Sequence, residues 1–159
     1  PDTLTPDVLR DLAARVAGDR ARWSPCVRLD GDHRVSERIW LDGALEIWVI
    51  SWMPGQDTGF HDHGVSSGAF AVADGELVEE LLVIGAGARR HRLRAPGARG
   101  FGPDHVHRVR NASAAPAVSV HAYSPPLAGM GAYAVGRDGS LRRSPHPAEA
   151  ELRPLVAAS

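Results

Sequence analysis

A single cysteine, Cys26, occurs in the 159 residues. No intramolecular disulfide can form, and nothing points to an oxidising compartment. No apolar run reaches the ~18–20 residues needed to cross a bilayer. The first residues also lack the charged-then-apolar pattern of a secretory signal, so a cytoplasmic protein with no membrane partner is expected. Lysine is absent, all 18 basic residues being arginine against 19 acidic ones, for a formal net charge of −1. That balance provides no positive footprint and excludes nucleic acid as the expected partner. The densest basic run, Arg89-Arg90-His91-Arg92-Leu93-Arg94, reads as a solvated strand or loop face. Internal repeats and low-complexity linkers are missing too. The whole chain, 1–159, therefore reads as one domain, long enough to bury a core without disulfides or structural zinc. A monomer or small homo-oligomer is expected.

Thr5 followed by Pro6 and a periodic run to Val16 predicts a helix over about 5–17, with Thr5 as cap, Val8, Leu9, Leu12 and Val16 along one face, and Gly18 ending it. From about residue 33 to 143 the pattern changes to short apolar or alternating runs broken by Gly, Pro and Asp, which is an all-β signature. Residues 45–53, LEIWVISWM, are apolar on both faces, as in a strand buried between layers. Residues 69–73 and 76–84 around Asp74-Gly75 read as a hairpin with a type I′ turn. Further strands are expected near 91–94, 105–110 and 117–123. One helix followed by many strands suggests a small barrel or jelly roll. The ends, 1–4 and about 144–159, are expected to be the loosest parts.

Histidine gathers in two places, His61-Asp62-His63 and His105-Val106-His107. On a strand, residues i and i+2 share a face, so His61 and His63 can direct two neutral nitrogen donors at one point. Such a pair is half of a transition-metal site. The second pair, on another expected strand, can supply the rest after the chain returns across a barrel.

This two-part spacing resembles the metal motif of the cupin superfamily. Gly55, His61, His63 and Gly75 fall on its first part, and His107 with Asn111 on its second. The resemblance selects His107 over His105 as third ligand, and it implies a cupin jelly roll behind the short N-terminal helix. The glutamate usual in the first part falls on Gly68. The inferred site is then three neutral imidazoles, which leave a divalent cation uncompensated and ready for an anionic ligand such as a thiolate.

The flanks narrow the resemblance. Trp52-Met53-Pro54-Gly55, Ser67-Gly68, Gly75-Glu76-Leu77, His107-Arg108-Val109 with Asn111, and the run from Ala117 to Pro126 (AVSVHAYSPP) are similar to the cysteine dioxygenase family over about residues 34–135. The resemblance implies Fe(II) held by His61, His63 and His107, a small thiol and O2 as partners, and a sulfinic acid as product. It also implies a relay in which Ser119 bonds His121 and His121 orients the Tyr123 hydroxyl. The residues agree with this, since Ser119, His121 and Tyr123 alternate with Val118, Val120 and Ala122 and so share one strand face.

Two positions depart from the family pattern. Gly68 excludes the cysteine–tyrosine crosslink of many animal members. The arginine that holds the substrate carboxylate falls near Ser36, leaving Arg34 and Arg38 as candidates on the same face, with Arg38 preferred. The substrate therefore stays open among cysteine, 3-mercaptopropionate, cysteamine, mercaptosuccinate and ergothioneine. Trp40, Trp48 and Trp52 are candidates for shaping the pocket, with core packing expected for at least two. His33, His91 and His146 are expected at the surface, and Cys26 in packing. Rival readings are a noncatalytic metal- or ligand-binding sensor and a metal cupin of non-oxygenase chemistry.

Overall fold

The computed structural model describes residues 3–83 and 87–146. Thr5 is extended, and its side chain accepts from Val8 N at the start of α1 (Pro6–Gly18). The buried stripe is Leu9, Ala13, Val16 and Ala17, and Val8 is half exposed. The face is thus turned from the one expected from bulky residues, because alanines supply half of it. A short helix, α2 (Arg20–Trp23), and a 3₁₀ turn (Ser24–Cys26) follow.

The strands are β1 (Val35–Leu41), β2 (Glu46–Trp52), β3 (Phe60–Asp62), β4 (Ser67–Asp74), β5 (Glu76–Val83), β6 (Gly87–Arg94), β7 (Ala98–Phe101), β8 (His107–Arg110), β9 (Ala117–Ser124), β10 (Met130–Val135) and β11 (Leu141–His146). Among the described residues they form a five-stranded sheet, β1-β2-β9-β4-β7, and a six-stranded sheet, β11-β10-β3-β8-β5-β6, whose pairings are antiparallel. This is the all-β, cupin-type jelly roll behind an N-terminal helix.

The five-stranded sheet is covered on both faces. Inward, Trp48, Ile50, Trp52, Phe70, Val72, Phe101 and Tyr123 meet Leu77, Leu93 and Val109 of the opposite sheet. Outward, Ile47, Ala69, Ala71, Val120 and Ala122 meet the buried stripe of α1, while Val49 and Val118 meet Trp23 and Cys26. Every residue of β2 is consequently buried, which explains why its sequence lacks polar alternation. Alanine at the outer positions lets the helix approach closely. A Cβ on Gly100 would lie 2.9 Å from the Pro6 carbonyl carbon, so β7 also needs a bare backbone where α1 begins.

Several expectations require correction. The segments 69–73 and 76–84 do not form a hairpin. Strand β4 pairs with β7 and β9, and β5 with β6 and β8, so Asp74-Gly75 is a corner where the chain changes sheets. Gly75 has φ 75°, and a Cβ there would lie 2.7 Å from the Pro116 carbonyl oxygen; glycine serves the corner as well as it would serve a turn. Ile84 lies outside the described residues. His105 precedes β8, so the second histidine pair is not on one strand, and residues 144–146 belong to β11. Residues 1–2 and 147–159 lie outside the described set. The arginine run does form an exposed strand face, on which Arg90 pairs with Glu80, and Arg92 and Arg94 pair with Glu76.

Candidate metal centre

Strands β3 and β8 are neighbours, and His61 lies directly across from His107. His63 follows the end of β3, where Gly64 at φ 60° turns the chain away. The three rings converge, with centroids 4.8 Å apart for His61 and His63, 4.7 Å for His61 and His107, and 5.0 Å for His63 and His107. One nitrogen from each lies within 4.8 Å of the others. His61 Nδ1 is 3.1 Å from the Gly59 carbonyl oxygen, and His107 Nδ1 is 2.8 Å from Glu79 Oε1. Both rings are thereby left with Nε2 as the ligand atom.

Burial is what keeps these imidazoles neutral. It lowers His61 to about 4 despite the Gly59 hydrogen bond, and His107 to about 3 despite Glu79. His63 is pushed well below the ordinary value, first by burial and then by its histidine neighbours. A metal requires neutral imidazole. His63 provides the test of fit, since both its ring nitrogens are buried and unpartnered. A buried polar group without a partner costs roughly 1–3 kcal/mol, and a cation shared with His61 and His107 would remove that cost. The residues fit a metal ion.

Beside the histidines runs a chain of hydrogen bonds. Trp52 Nε1 donates to Ser119 Oγ (2.9 Å), Ser119 Oγ is 2.8 Å from His121 Nε2, and His121 Nδ1 is 3.2 Å from the Tyr123 hydroxyl. Burial and the neighbouring histidines hold His121 neutral. The indole is a donor only, so Ser119 Oγ accepts from Trp52. A neutral His121 carries one ring hydrogen, so one of its nitrogens donates and the other accepts along this chain. Register explains the assembly, because Ile50 lies across from Ser119, Trp48 from His121 and Glu46 from Tyr123, all on the inward face.

Arg34, His61, His107, His121 and Tyr123 line one narrow cavity of ≈ 10 Å³, closed by Ile50, Thr58 and Val109. The Arg34 guanidinium lies 5.2 Å from the centre of Trp52 and donates to the Asp57 carbonyl. Arg38 shares the face, as expected, but lies over Trp48, four residues before Trp52 in β2. Its Nη1 is 3.8 Å from Glu46 Oε2, and its side chain is 45% exposed. Arg34 thus lines the cavity with the histidines, whereas Arg38, preferred from the sequence, is not among its lining residues. Trp48 and Trp52 sit in the inner core, whereas Trp40 is half exposed and bonds Asp42. At Gly68, a Cβ would lie 2.6 Å from Phe101 Cζ and 2.9 Å from Tyr123 Cδ1. The Phe101 ring occupies the room that a larger residue there would need.

The cysteine dioxygenase type I family matches this sequence over residues 3–135. The chain belongs to the cysteine dioxygenase type I family. No curated protein matches it. Among solved structures, a protein of Thermus thermophilus is similar at TM-score 0.58 and 20% identity over 64% of this chain and 92% of its own. A double-stranded β-helix protein of Klebsiella pneumoniae is similar at TM-score 0.59 and 21% identity, over 67% and 90%. An oxalate oxidase crystallised with the substrate analogue glycolate is similar at TM-score 0.54 and 18% identity, over 64% and 55%. These likenesses establish the cupin fold. Among the described residues, no helix is long and apolar enough to cross a membrane.

For this member of the family, sequence reasoning missed two carboxylates. Asp62, between the first two histidines, accepts from Gly64 N, Gly131 N, Tyr133 Oη and Arg143. Burial would raise its carboxyl, and these bonds outweigh burial and hold it well below the usual range. It ties the histidine loop to β10 and β11. Glu79 is fully buried and accepts from both His105 Nε2 (3.0 Å) and His107 Nδ1. Again burial acts upward and is outweighed, here by the two histidine bonds and Arg99. Sequence alone offered one weak signal, that Glu79 is two residues beyond the inward-facing Leu77.

Proposed function

We propose that the protein is a mononuclear nonheme Fe(II) thiol dioxygenase that adds both atoms of O2 to the sulfur of a small thiol, giving a sulfinic acid. One observation carries the reading: two of the clustered histidines, His61 and His107, line the same cavity as Tyr123, the end of the Trp52-Ser119-His121 chain. Bound by His61, His63 and His107, ferrous iron would supply the redox chemistry joining O2 to sulfur. The protein binds, orients and controls protons.

In this reading Arg34 holds the substrate carboxylate, because its guanidinium is on the cavity wall facing the histidines, and a charged fork suits a carboxylate. With His121 donating from Nδ1, Tyr123 places its phenol hydrogen toward the reacting groups. The absence of a carboxylate at position 68 supports an anionic thiolate as partner, since three neutral imidazoles leave the cation's charge to be met by the substrate.

The test is O2 uptake by anaerobically Fe(II)-loaded protein across cysteine, cysteamine, 3-mercaptopropionate, mercaptosuccinate and ergothioneine, with product masses. The expected result is one O2 consumed per thiol and a mass gain of two oxygens. Absence of thiol-dependent uptake with iron fully bound would overturn the dioxygenase reading in favour of a sensor or another metal chemistry.

A further inference from the structure

The side of His107 away from the other two histidines meets a buried carboxylate. Glu79 Oε1 accepts from His107 Nδ1 at 2.8 Å and from His105 Nε2 at 3.0 Å. Its second oxygen is 2.7 Å from Arg99 Nε, a close ion pair without hydrogen-bond alignment. Glu79 comes from β5 of one sheet and Arg99 from β7 of the other, so the carboxylate is clamped between sheets. His105 stacks on Phe101, with ring centroids 4.8 Å apart and 12° between planes. Phe101 is the ring filling the space beside Gly68.

We propose that Glu79 is a positioning residue of the metal centre. Its carboxylate holds His107 with the hydrogen on Nδ1 and Nε2 toward His61 and His63. His105, the other half of the histidine pair, then serves as a second donor to the carboxylate. The proposal rests on the three-histidine site of the preceding reading. An outer carboxylate on a ligating imidazole fixes ring orientation and strengthens the donor, and its loss typically lowers metal affinity ~10- to 100-fold.

The experiment uses the full chain with Co(II) as probe, measuring affinity by chelator competition and the visible ligand-field bands at saturation. Glu79→Gln keeps the shape and one acceptor but removes the charge, and Glu79→Ala removes both. The expected result is a Co(II) affinity lowered about 10-fold or more in Glu79→Gln and further in Glu79→Ala, with displaced bands in both. A purely structural role would leave the bands of the saturated protein unmoved. Wild-type affinity and bands in both variants, with binding abolished in His63→Ala, would overturn the proposal and leave the three-histidine site standing. Wild-type protein that binds no Co(II), or a His63→Ala variant that binds it normally, would overturn that site and the proposal together. Should the variants not fold, nitrogen-15 spectra of Zn(II)-loaded wild type decide the matter. A hydrogen on His107 Nδ1 is expected, and metal at Nδ1 would refute the proposal.

Discussion

Replacing Gly68 by alanine adds one methyl group to the inward face of β4, at the position where cupins usually carry a glutamate. That carbon would lie 2.6 Å from Phe101 Cζ and 2.9 Å from Tyr123 Cδ1, with Phe101 Cε2 closer still. Ordinary carbon contacts are about 3.5–4.0 Å, so the phenyl ring must retreat by about 1 Å. It has little room, being 4% exposed and 4.7–4.8 Å from the rings of His63, His105 and His107. Overpacking of this kind costs ~1–3 kcal/mol. Against it stands a gain of ~0.4–1 kcal/mol from the reduced freedom of the unfolded chain. A net loss of about 1–2 kcal/mol is expected. The assay is urea unfolding of wild type, Gly68→Ala, Phe101→Leu and the double variant, all metal-free. Removing the ring should relieve the clash, so the cycle should show a favourable coupling of about 1 kcal/mol or more. Additivity within ~0.5 kcal/mol would refute the claim that Phe101 closes this position. A cysteine at 68 meets the same ring.

Other predictions address the chemistry. His107→Ala should abolish metal binding in a Co(II) titration, whereas His105→Ala should retain the metal and substantial activity; the reverse would overturn the ligand assignment. Tyr123→Phe should keep its iron but turn over slower, on the order of 10²-fold, measured as O2 uptake at saturating thiol; unchanged turnover would remove Tyr123 from the mechanism. Arg34→Gln should raise KM for a carboxylate-bearing thiol about 10- to 150-fold, the equivalent of a charge-assisted hydrogen bond, with little effect on cysteamine. Arg38→Gln should leave both nearly unchanged, and a larger effect there than at Arg34 would reverse their assignment.

The comparison of sequence with structure turns on which interactions are local. The three candidate ligands were legible because HxH spacing and the His107–Asn111 pair are fixed offsets along the chain. The face shared by Ser119, His121 and Tyr123 was legible because a strand alternates with period two. The Asp74-Gly75 corner was misread because a sheet change and a hairpin ask the same backbone freedom of glycine, and only strand pairing tells them apart. Alternation alone does not separate Arg34 from Arg38, because both satisfy it, and which of them reaches the histidine cavity depends on how β1 lies along β2.

The sequence by itself determined the helix cap at Thr5, the both-sides-buried strand at 46–52 and the residue types that can hold a metal, since each depends on neighbours in the chain and on periodicity. Only the tertiary structure decided what meets across the barrel. The Phe101 ring against Gly68 brings together residues 33 positions apart, the Trp52 indole on Ser119 residues 67 apart, and the Glu79 carboxylate on His107 residues 28 apart. Contacts over such separations are set by sheet register and by the approach of two layers, and no local pattern encodes either.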